Sequence, residues 1–241
     1  MKMNKKLRRI LLTVCSAALL VCVTVGATVA YLTSTDEVNN TFTVGSVDIT
    51  LDEAAIKQDE TTKNWVEDAD ADRVDGNKYH LLPGITYAKD PTVTVTKGSE
   101  KAYVRVLVTV NKKTALDSIF AKYAESEGLS IDDVVIDFSD EWKAEKDTII
   151  DTEKDTRTYV IRYIGKDKDG NGTVEDSEGI VDAQSAAVKL ADVFQKISIP
   201  EYFTNDDIKD LNGLTINVVA QAIQADGFDT GDAAWAAFDG E

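Results

Sequence analysis

The sequence predicts an all-β fold, an antiparallel sandwich interrupted by short helices, and three observations lead there. Apolar residues alternate with a period of two through much of residues 31–241. No strand–helix–strand rhythm repeats along the chain, which argues against a parallel sheet. Turn residues punctuate the alternating runs at Pro83-Gly84, Lys97-Gly98, the glycine-rich stretch near 170 and Asn212-Gly213.

The first element is of another kind. Lys2, Lys5, Lys6, Arg8 and Arg9 form a basic flank, and Ile10 to Ala30 carries no charge at all. The run closes on Gly26-Ala27-Thr28-Val29-Ala30, the small residues a signal peptidase needs just before its cut. Residues 1–30 are therefore expected to be a signal peptide cleaved after Ala30, with Ala27 as the alternative. An uncleaved anchor is the competing reading, because about 20 apolar residues span a bilayer. Either way the acidic remainder lies outside the cell. Val14 and Val21 precede Cys15 and Cys22 where a lipoprotein signal requires a small residue.

Residues 31–241 are expected to form a single β-sandwich domain with acidic loop insertions near 58–77 and 165–180. Phe42 to Leu51 alternates with a change of phase at Gly45-Ser46, which suggests a bulged strand. Asp90 to Thr96 alternates threonine with valine. In Tyr103 to Val110 the residues Val104, Val106, Val108 and Val110 share one face and Tyr103, Arg105, Leu107 and Thr109 the other. Thr158 to Ile164 and Leu214 to Ala225 read as further strands, the last with a phase slip near Ala220. Helical spacing is confined to Thr114–Glu127, where Leu116, Ile119, Phe120 and Tyr123 recur and Gly128 stands at the C-cap position, and to Thr230–Phe238, which carries Trp235 and Phe238. Ala183 to Phe194 fits either class.

Composition excludes several functions. The chain has 241 residues and a net charge of −17; without the five basic residues of the export segment, 21 basic residues face 43 acidic ones, a net of −22. Such a surface repels nucleic acid and anionic membranes and favours cations. Both cysteines lie in the export segment, so residues 31–241 have no disulfide. A single histidine, His80, leaves neither a multi-histidine zinc site nor a Ser-His-Asp triad to propose. His80 reads as a structural residue in a strand-like stretch. Trp142 and Trp235 read as core or edge residues and Trp65 as part of the 58–77 loop, in preference to a glycan-binding row. Paired carboxylates are too common in so acidic a chain to mark a glycosidase. No enzyme is expected.

The sharpest motif is Asp167-Lys168-Asp169-Gly170-Asn171-Gly172-Thr173-Val174-Glu175-Asp176-Ser177-Glu178. Side-chain oxygens stand at positions 1, 3 and 5, glycine at 6, an apolar anchor at 8 and a bidentate-capable glutamate at 12, as in a twelve-residue calcium loop. Asp167, Asp169, Asn171, the Thr173 carbonyl, Glu175 and Glu178 would supply the hard oxygens calcium takes. The alternative is a solvated acidic hairpin, since the flank Tyr159–Ile164 is a strand and not an entering helix.

The order of basic flank, apolar run, Gly26-Ala27-Thr28-Val29-Ala30-Tyr31-Leu32-Thr33 and Asn40-Thr41-Phe42-Thr43-Val44-Gly45-Ser46-Val47-Asp48-Ile49-Thr50-Leu51 resembles the TasA/camelysin family of exported Gram-positive biofilm-matrix proteins. Leu82-Pro83-Gly84 ahead of Val93 and Val95 resembles the family's turn into a core strand. The stretch Ile216–Phe238 resembles related exported proteins. The resemblance implies a signal cut by a dedicated, eukaryotic-type signal peptidase, a jelly-roll sandwich, and secreted matrix fibres in which the mature N-terminal strand of one subunit completes its neighbour's sheet. Cleavage after Ala30 would free Tyr31, Leu32, Thr33 and the following residues to Val38 as that donor strand. The partners expected are further copies of the chain, the signal peptidase during export and other matrix components, with no membrane after cleavage. A monomeric calcium-binding surface adhesin is the second expectation. Camelysin-like relatives carry a metalloprotease label, but no His-Glu-x-x-His pattern occurs here.

Overall fold

A computed structural model describes residues 33–37, 40–43, 47–127, 138–145, 148–166 and 179–240, the first two segments by their backbone alone. The fold is strand-rich and all-β, as the alternation predicts, and among the described residues the strand pairing is antiparallel except for one parallel bridge. The jelly roll is a finer statement than this strand order carries.

The large sheet is built around β8 (Ala102–Asn111), the longest strand among the described residues. On one side β8 pairs with β11 (Thr156–Tyr163), which also receives β10 (Ile149–Asp151) and β9 (Trp142–Ala144). On the other it pairs with β14 (Ile216–Gln224), and β14 is followed by β1 (Thr33–Glu37) and β2 (Asn40–Thr43). A three-stranded sheet of β12 (Val188–Lys189), β7 (Thr92–Val95) and β3 (Ile49–Asp52) faces it. Alternation puts Val104, Val106 and Val108 inward, where they meet Val47, Ile49, Val93, Val95, Val218, Ala220 and Ala222 in one core. A third sheet joins β13 (Lys196–Ser198), β6 (Thr86–Ala88), β5 (Trp65–Glu67) and β4 (Ile56–Gln58).

Among the described residues three helices pack against the sheets. In α1 (Lys113–Glu127) the buried residues are Leu116, Ile119, Phe120 and Tyr123, the four that helical spacing selects. They pack with Tyr87, Ile199, Phe203 and Leu211. The short α2 (Asn205–Asp210) starts on Thr204 in a capping box with Asp207. In α3 (Gly231–Asp239), Trp235 and Ala234 cover Tyr103 and Ile223 on the outer face of the large sheet.

Several expectations are corrected. Phe42–Leu51 is not one bulged strand: β2 belongs to the large sheet and β3 to the facing one, so the chain changes layer between them. Near Ala220 no slip occurs, and the register of β14 on β8 is continuous from Ile216 to Gln224. Both faces of that strand are covered, Ala220 and Ala222 by the sandwich core and Ile223 by α3, which disguises the alternation. The 58–77 stretch contains β5 with its half-buried Trp65, and so is more than a loop. His80 is exposed and lies outside any strand. Gly128 lies outside the described residues. Gly84, at φ 74°, makes the turn after Pro83 in a conformation that favours glycine.

Candidate functional site: the β14 edge and its cleft

β14 has β8 alongside its full length, but β1 opposes it only from Ala220 to Ile223. The register there runs Asp36 to Ala220 and Thr33 to Ile223. Among the described residues, Ile216–Val218 have no strand on that second edge. Instead Leu214 to Val218 line a cleft of about 600 Å³, whose other walls include Leu51, Glu53, Tyr79, Leu81, Tyr87 and Lys89. A strand edge offers N–H and C=O groups in alternation, and an extended peptide can bond to it while its side chains enter apolar pockets.

A buried polar network forms one wall. Lys89 bonds to Glu53, and both are almost fully buried. Glu53 also accepts from the Asn77 main chain at 2.7 Å and from Asn77 Nδ2 at 3.0 Å. The Tyr79 ring lies 5.9 Å from Lys89 Nζ, and burial, helped by the charges of Glu53 and Asp90, pushes its hydroxyl well above the ordinary tyrosine range. Beside it, Arg73 bonds to Asp52, to Asp90 at 2.6 Å and to the Thr92 hydroxyl at 2.9 Å. The Asp90 carboxylate also accepts from the Ala54 main chain at 2.6 Å. These bonds pin the acidic 53–79 segment to the sandwich. Tyr87 holds its far end, donating to the His80 carbonyl at 2.7 Å and accepting from Leu82 N at 2.8 Å.

Thr33 lies in β1 opposite Ile223. Ala30, Tyr31, Leu32 and Val38 lie outside the described residues, as do Asp167, Asp169, Asn171, Thr173, Glu175 and Glu178. What the structure does describe is the base of the 167–178 loop. A Cβ on Gly179 would sit 2.8 Å from the Tyr163 carbonyl oxygen, so the chain returns from the loop against the strand end from which it left. Among the described residues no group of three or more His, Cys, Asp or Glu is placed to hold a metal ion. Trp142 and Trp235 are buried, Trp142 donating its indole N–H to the Ala191 carbonyl at 2.9 Å. Sequence reasoning missed Glu53, Asn77, Arg73 and Lys89. The one available signal was Arg73, a lone basic residue among the acidic residues of 67–75.

The model of the camelysin metallo-endopeptidase family, which includes the TasA-like proteins, matches residues 3–64. That span runs from the basic flank through β1, β2, β3 and β4. No curated protein and no solved structure matches the chain. Among the described residues no helix is long and apolar enough to cross a membrane.

Proposed function

We propose that residues 31–241 form a secreted structural subunit of an extracellular matrix fibre, assembling head-to-tail by donating the N-terminal strand to a neighbour. The position of β1 carries this reading. It is the N-terminal strand of the domain, it lies next to a core strand, and it covers only part of that strand's edge. A segment that closes the sheet of its own chain can close that of another with the same register, and because donor and acceptor surfaces differ the contact propagates. Cleavage after Ala30 would release the segment, and Tyr31 and Leu32 would be its apolar anchors. The likeness over residues 3–64 supports an extracellular, matrix-type protein. The chain acts without catalysis in this reading, since one histidine and no His-Glu-x-x-His pattern leave the peptidase description without its zinc-binding helix. Calcium held by Asp167, Asp169, Asn171, Thr173, Glu175 and Glu178 would assist the fold or the assembly.

The test is electron microscopy of the chain starting at Tyr31 beside one starting at Asn39. The longer protein should form fibres, and the shorter should stay a folded monomer that binds a synthetic 31–43 peptide. Fibres from the shorter chain at the normal rate would rule out strand donation. A monomer in both cases would favour the surface adhesin.

A further inference from the structure

Glu53, Asn77 and Lys89 meet around one carboxylate at the wall of the cleft. Lys89 and Glu53 are only 8% and 5% exposed. Lys89 Nζ donates to Glu53 Oε2, while Asn77 Nδ2 donates to Glu53 Oε1 at 3.0 Å and to the Ala54 carbonyl at 2.8 Å. The arrangement is built by the backbone. Glu53 and Val74 exchange both main-chain hydrogen bonds, at 2.8 and 2.7 Å, which returns the chain so that Asn77 reaches Glu53. Tyr79 borders the pair, its ring 5.9 Å from Lys89 Nζ and its hydroxyl donating to the Ala88 carbonyl at 3.3 Å. A primary amine and a carboxamide thus sit on the two oxygens of a single buried carboxylate. A buried ion pair is weak evidence of a purely stabilising role, because apolar residues of similar volume commonly do as well.

The geometry points to an intramolecular amide bond between Lys89 and Asn77, with Glu53 as the proton carrier. Lys89 Nζ hands a proton to Glu53 and attacks Asn77 Cγ with the freed lone pair. Glu53 delivers that proton to Nδ2 and takes the second one from Nζ. The Cγ–Nδ2 bond breaks, ammonia leaves, and a secondary amide joins Nζ to Cγ. The ammonia can carry off the remaining proton as ammonium, which restores the carboxylate. No oxidant or other co-reactant enters. The link would tie the end of the 53–79 segment to the connection between β6 and β7, in a domain whose residues 31–241 contain no cysteine for a disulfide. It is independent of the fibre reading.

Intact-mass spectrometry of the purified wild-type chain decides the matter. The mass should fall short of that expected from its observed N-terminus by one ammonia. Proteolysis should release a branched peptide joining the segments around residues 77 and 89. Lys89→Arg and Glu53→Gln chains, each checked for folding by circular dichroism, should keep the full mass. A wild-type chain of full mass overturns the proposal even if both variants fail to fold. So does an ammonia loss with residues 77 and 89 in separate peptides, the mark of a succinimide at Asn77. A Glu53→Gln chain that still carries the branched peptide overturns the role given to Glu53. None of these outcomes bears on whether fibres form.

Discussion

Arg105 projects from the outer face of β8, where it is nearly buried under α3. Its guanidinium stacks 4.3 Å from the Trp235 ring and 5.1 Å from Phe238. It donates to Gln221 Oε1 at 2.7 Å and bidentately to Asp239, once at 2.8 Å. The Asp239 carboxylate stands at the C-terminus of α3, where the helix dipole disfavours a negative charge. Arg105 offsets that and holds the carboxyl below its usual range, against the opposing effect of burial. Arg105→Ala should cost about 2 kcal/mol in urea unfolding, toward the low side for a buried pair because Asp239 is half exposed. Arg105→Lys should recover less than half of that, since lysine lacks the planar fork. Asp207 makes a second residue-scale prediction. Burial pushes its carboxyl up, but bonds from Lys122, the Tyr123 hydroxyl at 2.7 Å and Thr204 N at 2.8 Å overcome this and hold it well below the ordinary range. A depressed folded-state value adds stability above the unfolded value of about 3.9, and that stability is lost as pH falls further. Asp207→Asn should therefore lower stability by about 2 kcal/mol at pH 7 and flatten its acid dependence below pH 4, read by thermal melts across pH. Tyr163 is shifted the other way, burial and the Glu141 carboxylate pushing it up to about 12.

At the scale of elements, α1 was legible because its apolar spacing admits one reading, and burial falls on Leu116, Ile119, Phe120 and Tyr123. Phe120→Ala should cost about 3–5 kcal/mol in the same unfolding assay. The N-terminus of α1 was not legible, because its cap comes from elsewhere: Asp155, in the turn before β11, accepts from Thr114 N at 2.9 Å. Gly179 is a comparable case. Its close approach to Tyr163 follows from where the 167–178 loop leaves and returns, so Gly179→Ala should destabilise by about 1–3 kcal/mol despite its small size. The loop itself yields a calcium prediction. Adding the ion should raise the melting temperature, in line with RT ln(1 + [L]/Kd), and exchanging Asp167 and Glu178 for alanine should remove the rise. A melting curve unchanged up to about 10 mM calcium would sink the motif's reading, since extracellular modules bind at 10⁻⁴–10⁻³ M.

For the whole molecule, the net charge of −22 on residues 31–241 opposes any contact between copies. If strand donation drives assembly, its rate should rise with added monovalent salt, because a Debye length of about 10 Å at 0.1 M screens exposed charge while leaving the backbone ladder intact. Light scattering between low and physiological ionic strength tests this. The sequence by itself determined the class of fold, the strands β7, β8 and β11, and the helices α1 and α3. Each of these buries one face or stripe, and that writes a period into the residues. Tertiary structure alone decided which strands are neighbours, that the chain changes sheet between β2 and β3, and that β1 covers only part of β14. It also brought Glu53, Asn77 and Lys89 together. Pairing across a sheet depends on where distant segments meet, and a polar cluster assembled from residues 53, 77 and 89 has no period to betray it.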